Sequence, residues 1–342
     1  MNILDKALDR VKALKSDPKK LLLFGVLPLV GVAALIVILV VVLSNLGGGY
    51  DFSQGITAPV YNPSHVSSES VSSESESEPI VPLPVDEEVE EKYQQARQTN
   101  EDVVAYLQIP GTPVDYPVLQ AERNDYYMER DINGKYFMYG SVFAHKHNDV
   151  SSDKALGRNT VLFGHNKDIA NLSGDQHNFS TLPYFQDQDY AKEHRYFTLN
   201  IGDEVTYWVI FAALDSANQE NHEIDSDFYY WDPDPDDDAA WRKTLAMAMD
   251  RSYWDYGLEV DVDDRVMTMS TCSYDWGYDG GYNTYAKFVL MARELRADEI
   301  AQGMKFLENL PALKANDDRF TPAELGLTRK HYTTEEGHAD PS

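Results

Sequence analysis

The chain has 342 residues, 43% of them hydrophobic, with 29 Lys and Arg against 57 Asp and Glu and a formal charge of −28 at neutral pH. That length accommodates one large domain or two ordinary ones with appendages, and the charge argues against a nucleic-acid partner, whose phosphates such a surface repels. Cys272 is the only cysteine, so the chain builds neither an internal disulfide nor a thiolate-rich metal site.

Residues 1–20 carry six Lys and Arg against three Asp and read as a cytoplasmic basic segment. Residues 21–43 contain no charge. As a helix they rise about 34 Å, enough to cross a bilayer core, and they exceed the apolar core of a cleaved signal peptide. The expectation is a single-pass anchor in membrane lipid through residues 21–43, with the N-terminus cytoplasmic and the body extracellular. Residues 44–85 include Gly47-Gly48-Gly49 and the run SSESVSSESESE at 67–78. They read as a disordered spacer, kept extended by like charges, that holds the next domain away from the lipid.

A folded domain is expected over 86–311. It opens with a helix in which Val85, Val89, Tyr93 and Ala96 recur at helical spacing. Short apolar runs bounded by turn signals follow at 106–109, 114–119, 140–144, 159–163, 204–214, 265–270 and 287–292. Many short strands and few helices predict a mainly β barrel. One helix interrupts them, opened by Asp232-Pro233-Asp234-Pro235 and the acids Asp236, Asp237 and Asp238, with Trp241, Leu245 and Ala248 on one face. Residues 297–310 read as another amphipathic helix, and 312–342 as a polar, loose C-terminal tail.

Cys272 ends the apolar run 266–272 and precedes the turn-rich segment 273–281. A strand end presents a side chain on a rigid support, and an unpaired thiol there invites a reactive role. Among nine histidines, His165 also closes a strand, in Leu162-Phe163-Gly164-His165-Asn166, where Gly164 is expected to permit a sharp turn. A Cys–His pair can cleave an acyl bond, the thiolate attacking the carbonyl and the imidazolium protonating the leaving amine. His145 and His147 have a spacing compatible with metal ligation from one side of a strand, but no carboxylate motif of metal-site form accompanies them.

These residues resemble the class B sortases, membrane-anchored cysteine transpeptidases of Gram-positive bacteria. The signature T-L-x-T-C stands here as Thr268-Met269-Ser270-Thr271-Cys272. Further similar stretches follow in order over residues 100–293: 100–112, Val114-Asp115-Tyr116-Pro117-Val118, Asn124-Asp125-Tyr126-Tyr127, Gly140-Ser141-Val142-Phe143 and 162–166. The resemblance implies an eight-stranded sortase-type β-barrel with added helices, preceded by the transmembrane helix, and no metal or organic cofactor. It implies that Cys272 attacks the Thr carbonyl of a C-terminal sorting signal of the x-Pro-x-Thr-Gly type, or an Asn-ended variant. The acyl group then passes to a peptidoglycan precursor or a pilin lysine, and the partners are surface proteins or pilins bearing such signals. His165 matches the acid and base position.

Two departures stand out. Met269 replaces Leu, a volume-conserving change. Lys287 occupies the place of the family's third catalytic residue, an arginine, in Lys287-Phe288-Val289-Leu290-Met291-Ala292-Arg293. In an antiparallel hairpin Lys287 can approach Cys272, whereas Arg293 lies about 20 Å farther along the strand. Lysine keeps the charge but loses the planar fork. Two rivals therefore stay open: a catalytically weakened sortase-like protein that binds sorting signals or cell-wall precursors without turnover, and a thiol hydrolase.

Overall fold

The apolar runs of the sequence become strands that close on themselves. The computed structural model describes residues 80–85, 87–166, 177–217, 228–277, 286–329, 331–332 and 339–340. The expected basic segment, the span 21–43 and the spacer up to residue 79 lie outside them; among the described residues no helix is long and apolar enough to cross a membrane.

The elements in chain order are α1 (Glu87–Thr99), β1 (Val103–Gln108), β2 (Asp115–Leu119), β3 (Phe143–Ala144), β4 (Asn159–Phe163), α2 (Gln188–Glu193), β5 (Tyr196–Ile201) and β6 (Glu204–Ala217). Then come α3 (Asp238–Arg251), β7 (Trp254–Asp255), β8 (Val266–Ser273), β9 (Trp276–Gly277) and β10 (Ala286–Glu294). Eight strands form a closed barrel in the order β1-β2-β3-β4-β8-β10-β6-β5. The pairs β2/β3 and β4/β8 are parallel, and the β8/β10 and β10/β6 pairs are antiparallel.

Side chains alternate across each strand. Along β10, Phe288, Leu290 and Ala292 fill the barrel interior with Leu162, Trp208 and Met269, while Val289 and Met291 face outward against α3. Both faces are buried, which is why this strand reads as an unbroken apolar run. Helix α3 begins where the Asp237 carboxylate accepts hydrogen bonds from the amides of Ala239 and Ala240. Its Trp241, Leu245 and Ala248 pack on Phe211, Leu214 and Val266. Helix α1 buries Val89, Tyr93 and Ala96 against Val103 and Tyr106, but Val85 precedes it and is exposed.

Three expectations are corrected. Strand β5, which the sequence reading leaves out although Phe197, Leu199 and Ile201 alternate with Thr198 and Asn200, pairs with β1 and β6 and buries both faces. The helix expected over 297–310 is two short ones, α4 (Ala297–Ile300) and α5 (Met304–Glu308). They are separated by Gly303 at φ +60°, where a Cβ would lie 2.0 Å from the Val81 carbonyl oxygen. The chain before α1 crosses at this point, and Met304 N donates to that carbonyl at 2.8 Å.

The third correction concerns the tail. Leu313 and Leu327 are buried, β11 (Lys314–Ala315) pairs with β7, and β12 (Thr328–Arg329) pairs with β9. Asn316 Nδ2 bonds the Ser252 carbonyl at 3.0 Å, and the Arg319 guanidinium lies 3.8 Å from the centroid of the Tyr253 ring. Residues 313–329 are a strap across the segment after α3, not a loose end.

Candidate active site

The strand parity decides what faces the surface. In β8, Met267 and Met269 point into the barrel, so Ser270 and Cys272 point out. The antiparallel register with β10 sets Lys287 opposite Cys272, and Lys287 Nζ lies 3.6 Å from Cys272 Sγ as a hydrogen-bond donor. On the other flank β4 runs parallel to β8 with Phe163 beside Ser270. Beyond the end of β4 the chain continues through Gly164 to His165, which lines the same cavity as Cys272 and Lys287.

Specific bonds tie the segment after β4 to β8. Gly164 N donates to the Ser270 carbonyl at 3.4 Å, Thr271 Oγ1 donates to the Gly164 carbonyl at 2.7 Å, and Asn166 Nδ2 donates to the Cys272 carbonyl at 3.0 Å. Tyr274 Oη then bonds the Asn166 carbonyl at 2.7 Å. One cavity mouth therefore gathers His165, Cys272 and Lys287: an imidazole, a thiol and an ammonium, each on a half-buried residue.

Gly164 has a different role from the expected turn. Its φ is not in the left-handed region, but a Cβ there would lie 2.8 Å from Phe179 Cδ2. The glycine lets the Phe179 ring pack under the strand end that carries His165. Arg293 is at the far end of the hairpin, opposite Val266, where its guanidinium binds both carboxylate oxygens of Glu299 at 2.6 and 2.7 Å.

The outward row borders a cavity of about 240 Å³ whose lining includes Met128, His145, Phe163, Tyr230 and Trp231. Tyr230 Oη lies 3.3 Å from Ser270 Oγ, and its ring meets the Trp231 ring edge-on. The sequence reading passed over this aromatic wall, although the run Phe228-Tyr229-Tyr230-Trp231 was a visible signal.

His145 lines the cavity. Its Nδ1 lies 3.3 Å from the His147 backbone amide and accepts from it, which leaves the ring proton on Nε2. Burial holds its pKa below the usual histidine range, helped by the charges of His147 and Lys146. Among the described residues no group of three or more His, Cys, Asp or Glu is arranged to hold a metal ion.

Comparison with known proteins gives these features a family setting. No family model matches the chain. Sortase B of Listeria monocytogenes is 28% identical over 197 residues, which cover 58% of this chain and 73% of that protein. Sortase B of Staphylococcus aureus is 26% identical over 210 residues, covering 61% and 77%. Among solved structures, a sortase B–substrate complex of Staphylococcus aureus superposes with a TM-score of 0.50 at 24% identity, covering 60% of this chain and 86% of that one. A sortase B complexed with triglycine gives a TM-score of 0.50 at 24% identity, covering 61% and 87%. The barrel is thus the sortase fold, and its enzymes are cysteine transpeptidases. Taken with the two curated relatives, this makes the chain a class B sortase homologue and a sortase-type transpeptidase.

Proposed function

We propose that Cys272 is the nucleophile, His165 the acid and base, and Lys287 the cation of a transpeptidation on sorting-signal peptides. The Cys272 thiolate attacks the Thr carbonyl of an x-Pro-x-Thr-Gly signal or an Asn-ended variant. As the tetrahedral intermediate collapses, the C–N bond breaks and the His165 imidazolium gives its proton to the leaving amine. The resulting thioester is attacked by an amine of a peptidoglycan precursor or a pilin lysine, from which His165 takes a proton while the thiolate departs.

The observation that carries this reading is the Lys287 Nζ to Cys272 Sγ contact of 3.6 Å on a cavity lining that also includes His165. A cation beside sulfur stabilises a thiolate, and the same ammonium is within reach of the oxyanion that the attack creates. The relatives support the substrate classes: one solved sortase B is a substrate complex and another holds triglycine, a peptide with a free amine. We place the enzyme in the cell membrane through residues 21–43, with the catalytic domain outside.

Lys287 also motivates the second reading, binding without turnover, because one flexible ammonium is less preorganised than a guanidinium. A fluorogenic sorting peptide, assayed with and without an amine acceptor, separates the cases. Acceptor-dependent product together with a thioester adduct on Cys272 in mass spectrometry is the expected result. Binding with no turnover sinks the transpeptidase, and hydrolysis indifferent to acceptor converts it to a thiol hydrolase.

A further inference from the structure

Asp215, near the end of β6, is 2% exposed and has no part in the chemistry above. The register sets it in a row with Phe288 and Thr271, next to the row of Ser216, Lys287 and Cys272. It shares the inward face with Phe288, so it closes the barrel end directly beneath the catalytic row.

Two donors converge on its Oδ2: the Tyr253 hydroxyl and Trp276 Nε1, the latter at 3.0 Å. They come from separate segments. Tyr253 follows α3, whereas Trp276 lies four residues after Cys272, in β9. The turn between Cys272 and Trp276 is held from two other sides as well, by Gln186 Nε2 donating to Asp275 Oδ2 at 2.7 Å and by the pairing of Trp276 with Arg329.

Asp215 Oδ1 is buried with no hydrogen-bond partner among the described residues. Burial lifts the carboxyl to about 6, opposed by the Tyr253 hydrogen bond, raised further by Asp275, and lowered by Ser273 and by Arg319 of the strap. A carboxylate is a costly group to bury in this position. Its one evident gain is that a charged acceptor grips two donors more strongly than a neutral one.

We propose that Asp215 is a positioning residue for acyl transfer: by binding Trp276 and Tyr253 it fixes the turn 273–276 against the barrel end and so sets the direction in which Cys272 Sγ projects toward His165 and Lys287. This rests on the reading of Cys272 as the nucleophile. Since Cys272 is the sole cysteine, its alkylation by iodoacetamide reports on the sulfur without any peptide.

The test uses Asp215→Asn, which keeps the shape and one acceptor oxygen but removes the charge. We expect kcat on the sorting peptide to fall about fivefold with KM changed by less than about twofold. Alkylation slows by a similar factor, because the sulfur spends less time beside the ammonium. Thermal stability at pH 7 to 8 rises, because the amide carries no buried charge, so a variant that is slower yet more stable is the signature. A folded Asp215→Asn whose kcat and alkylation rate both match wild type overturns the proposal. Should that variant not fold, Trp276→Phe, which loses one N–H and keeps an aromatic ring, decides by the same two measurements. If wild type turns over no peptide, it is the functional reading that has failed, and the alkylation rates alone judge Asp215.

Discussion

The hairpin of β8 and β10 carries a cation at each end, and the two ends are built on opposite principles. At one end Arg293 is 2% exposed and its fork is saturated by the carboxylate of Glu299. Its charge is cancelled and its donors are spent on structure. At the other end Lys287 is half-buried, and among the described residues no carboxylate forms an ion pair with it; its partner is the sulfur of Cys272. A buried cation without a counterion is costly, so Lys287 is tolerable only where water and a reacting thiol share the mouth of the barrel. Strand spacing alone keeps Arg293 away from Cys272; the electrostatic surroundings of the two cations make the same separation.

The largest expected effect is at the row itself. Cys272→Ala should abolish acyl transfer with the fold intact, and His165→Ala should do nearly the same, since the proposed steps route the proton of both amines through His165. More than trace turnover of a sorting peptide by either purified variant would show that the pair is misassigned. Next comes Lys287. Lys287→Ala should lower kcat/KM by about tenfold to a hundredfold, less than the loss of a preorganised oxyanion donor, and Lys287→Arg should preserve or raise it. A wild-type rate in Lys287→Ala would collapse the contrast between the two ends.

Arg293 sharpens that contrast from the other side. Arg293→Ala strands Glu299 in the interior and should cost about 3–5 kcal/mol in urea denaturation. Replacing both partners, Arg293→Met with Glu299→Leu, should recover most of that loss. Any remaining folded enzyme should keep its kcat; a kcat loss like that of Lys287→Ala would mean that the far end also serves catalysis.

The smallest effect concerns pH. Asp215 has its folded carboxyl raised to about 6, above the ordinary value of about 3.9. The folded state therefore holds this proton more tightly than the unfolded state does. Its contribution to stability is fully present below about pH 4 and is lost as pH rises through about 6. Melting temperatures across that window should show a component that Asp215→Asn removes; an unchanged slope would mean that Asp215 does not titrate there.

Much of this hairpin was legible in the residues. The run ending at Cys272, the run ending at His165 and the start of β10 at Ala286 are apolar stretches cut off by turn-rich sequence, and antiparallel geometry alone sets Lys287 opposite Cys272. What stayed hidden depends on partners distant in the chain. The parallel pairing of β4 with β8, which brings the segment carrying His165 alongside β8, joins residues more than a hundred positions apart and has no local signal. Gly164 looked like a turn because the contact that requires it, with Phe179, comes from a separate segment. Gly303 broke an amphipathic pattern for a similar reason, the passage of Val81. The strap escaped notice because its buried residues Leu313, Pro322 and Leu327 are too widely and unevenly spaced in a polar stretch to show a period.

That strap also sets an order of events. Thr328 and Arg329 supply the outer strand to Gly277 and Trp276, just past the nucleophile. Strand pairing over such a separation forms late, after loop closure has been met by other contacts. A chain still being synthesised can close its barrel strands through residue 294 and expose its thiol, yet the turn beside that thiol lacks its outer neighbour until residue 329 has been added. Completion of the catalytic surroundings thus waits on residues that follow the nucleophile by more than fifty positions, and a partly made enzyme carries its nucleophile in an unfinished frame.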